Sequence, residues 1–353
     1  MGRKIRCLSI DGKLDDRIPI TQALLQSVRQ LGEFKGREGL YRSQMPQALE
    51  TLRQAAIIQS AESSNRIEGV TAPPQRLRAL MAEKTKPRDR SEQEIAGYRD
   101  VLNTIHGNYE GMRFSASLVL QLHRDLFKYT SNPGGRWKST QNAIIEILPS
   151  GSKRTRFEPV APHLVPEAMA LLHVQINNFL EEAKTDPLIL IPAYVLDFLC
   201  IHPFLDGNGR MARLLTLLLL YQAGYGVGRY ISLERVIEES KESYYDALYR
   251  SSQGWHEGRH TLVPWTEYFF GIMLAAYREF ESRVGILTDG RGAKTELVLE
   301  AIGRFHGDFS VSELQAQCPN VGIDLIRRLL RQERKAGKLE CLGRGPAARW
   351  RRK

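Results

Sequence analysis

The sequence predicts a mainly α-helical protein that also carries two short β-hairpins. Two segments near the middle of the chain, residues 189–201 and 214–221, are apolar on nearly every face, which is typical of helices buried in a core. Helical segments with capping residues flank them, and short β-branched runs bounded by glycine and proline account for the hairpins. At 353 residues the chain is long enough for two or three domains.

The composition is that of an ordinary globular protein, with 42% hydrophobic and 25% charged residues. No apolar signal region follows the first residues, and the longest apolar run is too short to span a bilayer. The four cysteines show neither a C-x-x-C pair nor a zinc spacing, which favours reduced thiols in a cytoplasmic protein: Cys7, Cys200, Cys318 and Cys341.

Most of the net positive charge lies at the C-terminal end. The whole chain has a net charge of +10, and residues 327–353 alone carry eleven Lys or Arg against two Glu. This distribution predicts an acidic partner for the last part of the chain rather than for the whole protein.

The N-terminal region, residues 1–110, becomes clearly helical only from residue 46 onward. Before it, residues 18–31 predict an amphipathic helix and residues 32–39, with three glycines, a loop. The helix that starts at Pro46 is expected to stop at Gly69, since two prolines follow at 73 and 74. Glu68 lies at the C-terminal end of this helix, where the helix dipole disfavours a carboxylate, so we expect it to have another role.

The central region, residues 111–284, is predicted to combine helices with one hairpin. Ser115 or Ser117 caps a helix that reaches Phe127, and residues 132–137 then break helicity. The β-branched run 142–148 and the turn at 149–151 predict the hairpin, which either covers the core or acts as a flap over a site. The remaining predicted helices are 91–105, 166–182, 240–253 and 265–283.

The C-terminal region, residues 294–353, follows a predicted linker at 285–293 and resembles a winged helix-turn-helix domain. Helices are predicted at 294–305, after the capping box Ser310–Glu313, and at 323–335, and a hairpin follows over 339–350. In such a domain the third helix enters the DNA major groove, while Arg344 and residues 349–353 meet phosphates. Winged helices also bind proteins, so this alternative remains open.

The most informative stretch is Ile-His-Pro-Phe-Leu-Asp-Gly-Asn-Gly-Arg-Met-Ala-Arg at residues 201–213, between the two buried helices. His202 can take a proton near neutral pH, and Asp206 suits a hard cation such as Mg²⁺. Small residues that lead into a helix leave N–H groups free for an anion, and Arg210 and Arg213 can hold further phosphate oxygens. Each feature alone has an ordinary structural explanation, but their combination predicts a nucleotide-handling transferase.

The stretch resembles the signature of the Fic family, His-Pro-Phe-x-Asp/Glu-Gly-Asn-Gly-Arg-x-x-Arg, at every fixed position. The resemblance extends over about residues 43–283. It implies a helical core with a β-hairpin flap, and an enzyme that transfers AMP from ATP to a Ser, Thr or Tyr hydroxyl of a target protein or of itself. It also implies that the flap docks the target by strand pairing. Neither the target nor the oligomeric state follows from the sequence, and a homodimer is compatible with it.

The resemblance assigns a role to each matched position. His202 would be the general base, Asp206 would hold Mg²⁺ between the α- and β-phosphates, and Phe204 would anchor the loop. Arg210 and Arg213 would bind the β- and γ-phosphates. The anion hole and the adenine pocket would include the backbone of Gly207 and Gly209, the side chain of Asn208, and one of Tyr244 and Tyr245.

Two further stretches resemble parts of the family. Residues 64–69, Ser-Asn-Arg-Ile-Glu-Gly, match the family's inhibitory motif Ser/Thr-x-x-x-Glu-Gly/Asn, which begins at Ser64. The resemblance implies that Glu68 pairs with Arg213 and blocks the binding of the γ-phosphate. Residues 135–138 resemble the family's Gly-x-aromatic-Arg entry to the flap, with Lys138 in place of the arginine.

Two alternative hypotheses remain. An enzyme of the same fold can remove AMP, with Glu68 positioning a water, or transfer another nucleotide or a phosphate; Asp206 rather than Glu favours nucleotide addition. A protein of a different class would act mainly as a DNA-binding regulator through residues 294–353, with slow self-modification as its switch.

Overall fold

A computed structural model of the chain describes residues 8–10, 14–44, 46–132, 134–147, 152–288, 293–305, 307–318, 321–343, 345 and 348–352. The N-terminal region contributes helices α1 to α5. Their bounds are Leu14–Arg17, Gln22–Gln44, Pro46–Ile67, Pro74–Met81 and Arg90–Asn108. Helix α3 ends where the sequence predicts, and Gly69 follows in the left-handed region at a φ of 80°.

The predicted loop over residues 32–39 is wrong, because helix α2 continues through all of it. Three glycines in a helix interior each cost up to about 1 kcal/mol relative to alanine. Tertiary packing offsets this cost: Leu31 is fully buried, and the Phe34 ring stacks on Tyr277 at 5.3 Å between ring centroids. Contacts that are remote in sequence therefore decide the local structure here.

The core consists of helices α6 to α12, with bounds Ala116–Leu126, Val165–Glu182, Pro187–Ile201, Asn208–Gln222, Leu233–Glu239, Lys241–Ser252 and Val263–Thr288. Ser115 is the residue that caps α6, through a bond from the Leu118 N–H to its hydroxyl. Helices α8 and α9 pack on each other and are buried along most of their length, as the sequence predicts. The short loop between them, residues 202–207, carries the first half of the signature, and the start of α9 carries the rest.

The predicted hairpin is confirmed. Strand β1 (Ile144–Ile147) pairs antiparallel with β2 (Lys153–Phe157), and the predicted turn residues 149–151 lie outside the described residues. Strand β2 also packs against α11. The hairpin therefore lies beside α11, and its role as a flap stays a prediction.

The C-terminal region has a hydrophobic core of its own. Its elements are α13 (Ala293–Gly303), β3 (Phe309–Ser310), α14 (Val311–Gln317), α15 (Ile323–Lys335), β4 (Leu339–Leu342) and β5 (Arg349–Arg352), and the strands form a sheet of order β3-β5-β4. The predicted capping box of Ser310 and Glu313 is present. Residues 285–288 of the predicted linker continue α12, while 289–292 and Arg344 lie outside the described residues.

The winged helix-turn-helix assignment and the domain boundaries stay predictions. Within the described part of the chain, no helix is both long and apolar enough to cross a membrane.

Candidate active site

His202 lies at the junction between α8 and the signature loop. It adopts the left-handed conformation with a φ of 50°, which is unusual for a residue other than glycine. Its Nδ1 lies 3.3 Å from the carbonyl oxygen of Leu199. Burial, together with the nearby charge of Lys138, lowers the pKa of His202 to about 4. The imidazole is therefore neutral at physiological pH and able to accept a proton.

Phe204 anchors the loop in the core, as the sequence predicts. Its side chain is fully buried and stacks on the His123 ring at 3.6 Å between centroids. The side chain of Asn208 binds the Phe204 backbone twice: its Oδ1 accepts from the N–H at 3.0 Å, and its Nδ2 donates to the carbonyl oxygen at 2.8 Å. Asn208 thus braces the loop here, and a side-chain role in the anion hole stays a prediction.

Two glycines allow the close approaches that shape the N-terminus of α9. Gly207 has a φ of 83°, and a Cβ there would lie 2.8 Å from the Phe127 ring. A Cβ on Gly209 would lie 2.3 Å from Glu68 Oε1, so a side chain at this position would exclude the Glu68 carboxylate. The free N–H groups at the start of α9 and the helix dipole favour an anion at this end.

The predicted pair of Glu68 and Arg213 is present. The Arg213 guanidinium is almost fully buried; its Nη2 donates to Glu68 Oε1 at 2.8 Å and to the Ser64 carbonyl oxygen at 2.9 Å. Its Nε donates to the Ser64 hydroxyl at 2.8 Å. Among the described residues Nη1 has no hydrogen-bond partner. The last turn of α3 and the residue just after the helix therefore supply three acceptors to the arginine that is expected to hold a phosphate.

Arg210 points elsewhere. Its side chain is 2% exposed, and its Nη1 donates to Glu94 Oε2 of α5 at 2.5 Å, while its Nη2 lies 3.3 Å from Asp206 Oδ1. Glu94 is itself buried and also accepts from Arg90 at 2.7 Å. The buried pair ties α9 to α5, and direct phosphate binding by Arg210 stays a prediction.

Asp206 is the candidate Mg²⁺ ligand. Its side chain is 54% exposed at the mouth of the loop, where Oδ1 accepts from the Gly207 N–H at 2.6 Å and Oδ2 lies 3.2 Å from Arg90 Nη2. No group of three His, Cys, Asp or Glu side chains suited to a metal occurs among the described residues. A single exposed carboxylate fits Mg²⁺ that arrives on a polyphosphate, because this ion takes few protein ligands and keeps phosphate and water oxygens.

A cavity of about 450 Å³ opens beside these residues. Its polar wall includes His202, Glu68 and Arg213, and both predicted tyrosines, Tyr244 and Tyr245, line it from α11. Apolar side chains cover much of the rest, including those of Ile144, Ile145, Leu196, Leu199 and Leu248. An apolar cavity with a few convergent polar groups is the usual form of a small-molecule site.

Residues 113–220 match the family model described as Fic/DOC family. These residues form a Fic/DOC domain.

Relatives of the domain are found among both sequences and structures. A Fido domain-containing protein of Dictyostelium discoideum is 29% identical over 102 residues, which cover 29% of this chain and 67% of that protein. A protein adenylyltransferase Fic of Nematostella vectensis is 28% identical over 184 residues, which cover 48% of this chain but only 39% of that protein.

The crystal structure of a Fic family protein from Desulfovibrio desulfuricans G20 superposes on 96% of this chain and 98% of that chain, with a TM-score of 0.63 and 24% identity. This likeness establishes the fold over nearly the whole length. It carries no statement about activity.

Sequence reasoning missed three groups around the Fic/DOC signature. Glu94, the partner of Arg210, had no sequence signal beyond its place near a helix start. Arg156 of β2 lines the cavity and donates from Nη2 to the Tyr245 carbonyl oxygen at 2.7 Å, which only the fold could show.

The third group is Glu234, which hydrogen-bonds to α3 through Ser60. Glu234 is 1% exposed and accepts from the hydroxyl of Tyr98 at 2.8 Å and from that of Ser60 at 2.7 Å. Because Ser60 lies one helical turn before Ser64, this buried network fixes the part of α3 that holds Arg213 of the Fic/DOC domain.

Proposed function

We propose that the protein is an adenylyltransferase that moves AMP from ATP to a Ser, Thr or Tyr hydroxyl of a target protein or of itself. The proposal rests on one observation: a neutral His202 lies beside Arg213 and the N-terminus of α9 in one wall of the cavity. A base and an anion site side by side are what nucleotide transfer to a hydroxyl requires. The relatives named protein adenylyltransferase support the same activity.

In the proposed reaction, His202 removes the proton of the target hydroxyl as its oxygen attacks the α-phosphorus of ATP. The bond from the α-phosphorus to the bridging oxygen of the β-phosphate breaks, and pyrophosphate leaves. The N–H groups at the start of α9 and the Arg213 guanidinium hold the phosphate oxygens, and Asp206 would hold Mg²⁺. When bound, Mg²⁺ neutralises part of the charge of the phosphates.

Glu68 restrains this reaction in the proposal. Its carboxylate is paired with the Arg213 guanidinium, the group that would bind the γ-phosphate. It also lies against Gly209 at the start of the anion site. Two anions cannot share one buried guanidinium without repulsion, so ATP binds productively only when the Glu68 contact opens.

The test uses purified wild type and Glu68→Gly with Mg²⁺ and ATP labelled at either the α- or the γ-phosphate, in a cell lysate. We expect protein labelling from the α-label only, stronger for Glu68→Gly than for wild type. Label from the γ-phosphate would instead establish a phosphotransferase. The absence of label from both would contradict the proposal and favour removal of AMP or use of another nucleotide.

A second candidate function is DNA binding by the C-terminal region, as part of a cytoplasmic protein. Arg327, Arg331 and Arg334 project from one exposed face of α15, at the spacing of successive helical turns. Among the described residues, Arg331 Nε on this face donates only to the Arg327 carbonyl oxygen of its own helix, at 3.1 Å. The β5 arginines instead bond to other parts of the region: Arg351 pairs with Asp308, Arg349 donates to the Asp308 carbonyl oxygen, and Arg352 to that of Gly303. The α15 face is therefore the better candidate for phosphate contact than β5.

We expect the affinity of the protein for duplex DNA to fall steeply with salt concentration. Arg331→Ala should reduce the slope of log K against log[salt] by about one, because one phosphate contact is lost. The matched control is Arg351→Ala, whose guanidinium is held by Asp308 and should leave the slope unchanged. Binding that does not depend on salt, or no binding, would remove this candidate.

A further inference from the structure

The base of the flap is joined directly to the loop that carries His202. We call residues 137–142, which precede β1, the flap base. The Lys138 N–H donates to the Pro203 carbonyl oxygen at 2.8 Å, and the Trp137 ring packs on Phe204 at 5.3 Å between ring centroids. The flap base and the signature loop therefore touch through backbone and side chains together.

The Lys138 side chain makes a second connection. Although it is a lysine, it is only 3% exposed, and its Nζ donates to Asn142 Oδ1 at 2.9 Å and to the Ile201 carbonyl oxygen at 3.4 Å. Its backbone and side chain thus bind the carbonyl groups of the residues immediately before and after His202. A buried ammonium is costly unless it is hydrogen-bonded, so these contacts hold the lysine and the loop in one arrangement.

Asn142 completes the connection from the other end of the flap base. Its Nδ2 donates to the Phe204 carbonyl oxygen at 3.1 Å, the same oxygen that accepts from Asn208 Nδ2. The loop is therefore braced from two sides: by Asn208 from within the signature, and by Lys138 and Asn142 from the flap.

We propose that Lys138 is a positioning residue that places His202 for proton transfer, through the backbone carbonyls on either side of it and through its positive charge. The inference rests on the proposed function and adds to it a residue outside the signature. The strained backbone of His202 needs such support, since a left-handed conformation at a residue other than glycine persists only where its surroundings impose it.

The charge of Lys138 also acts on the imidazole. Burial lowers the pKa of Lys138 to about 8, so the ammonium is charged throughout the range in which His202 titrates. A neighbouring cation disfavours imidazolium, so Lys138 adds to the larger effect of burial in lowering the pKa of His202. Glu68 acts in the opposite direction, and other charged or titratable groups line the same cavity: Arg213 on α9, Arg156 on β2, Cys200 on α8, and Tyr244, Tyr245 and Tyr249 on α11.

The experiment compares Lys138→Met and Lys138→Arg in the Glu68→Gly protein. Methionine keeps the buried stem but removes the donors and the charge, so we expect kcat to fall about 10-fold with little change in KM for ATP. The arginine variant keeps donors and charge and should recover most of kcat. Lys184→Met is the matched control, because Lys184 is exposed and contacts Glu182 at the surface.

A second readout does not require activity. The titration of the His202 imidazole, followed by NMR and assigned as the signal absent from His202→Gln, should shift upward by about one pH unit in Lys138→Met and stay in place in Lys138→Arg. Asn142→Ala keeps the charge, so it should lower kcat less and leave the titration unchanged.

The outcomes separate the two proposals. An unchanged kcat in Lys138→Met, or a lower kcat with a lower melting temperature but an unmoved titration, would overturn the positioning role. If no variant transfers AMP, the proposed function fails, while a shifted His202 titration would still establish the link between Lys138 and His202.

Discussion

Replacing Glu68 with glycine is expected to raise the rate of AMP transfer on the order of 10- to 100-fold, because it frees Arg213 for the γ-phosphate. In the structure the Glu68 carboxylate lies 2.8 Å from Arg213 Nη2 and against Gly209. Removing the side chain opens both the guanidinium and the start of the anion site. The measurement is the initial rate of α-label incorporation at saturating ATP.

Two further variants test whether the carboxylate is the restraining group. Glu68→Gln keeps the size of the side chain but removes its charge, so its rate should lie between wild type and Glu68→Gly. Ser64→Ala should have a smaller effect, since the Ser64 carbonyl oxygen and Glu68 still hold Arg213. Glu62→Gly introduces a glycine into α3, the helix that leads to Glu68, away from Arg213, and is the control for helix loosening. Equal rates for wild type and Glu68→Gly would refute the restraint.

The second large effect concerns the base. In the Glu68→Gly protein, His202→Ala is expected to lower kcat by roughly 10²- to 10⁴-fold, the usual contribution of a positioned general base. Binding of ATP should change little, because α9, and not His202, is proposed to hold the phosphates. Retention of most of kcat in this variant would exclude His202 as the base.

The pH dependence gives an independent check on His202. A general base must be deprotonated, so activity is lost as pH falls through its pKa, and for His202 this lies at about 4. We therefore expect kcat of Glu68→Gly to stay within about two-fold from pH 8 to pH 5.5, whereas a histidine with the ordinary value near 6.5 would lose most of its activity over this range. A midpoint near pH 6.5 would contradict the burial seen in the structure.

Most helices and strands could be predicted from the sequence, whereas contacts between residues far apart in the chain could not. Buried helices α8 and α9, the end of α3 and the flap hairpin could be predicted, because apolar periodicity, caps and glycines act locally. The continuation of α2 through three glycines could not, since it depends on the packing of Phe34 against Tyr277, far away in the chain.

For the site, the order of residues 201–213 by itself predicts the chemistry: a base, a carboxylate, an anion-binding helix start and two arginines. Only the tertiary structure decided which hydrogen-bond partner each polar side chain of the site has. It directs Arg210 to Glu94, Asn208 to the Phe204 backbone and Lys138 to the carbonyls beside His202. The reason is physical: a buried charge or amide must find partners, and the fold alone determines which partners are within reach.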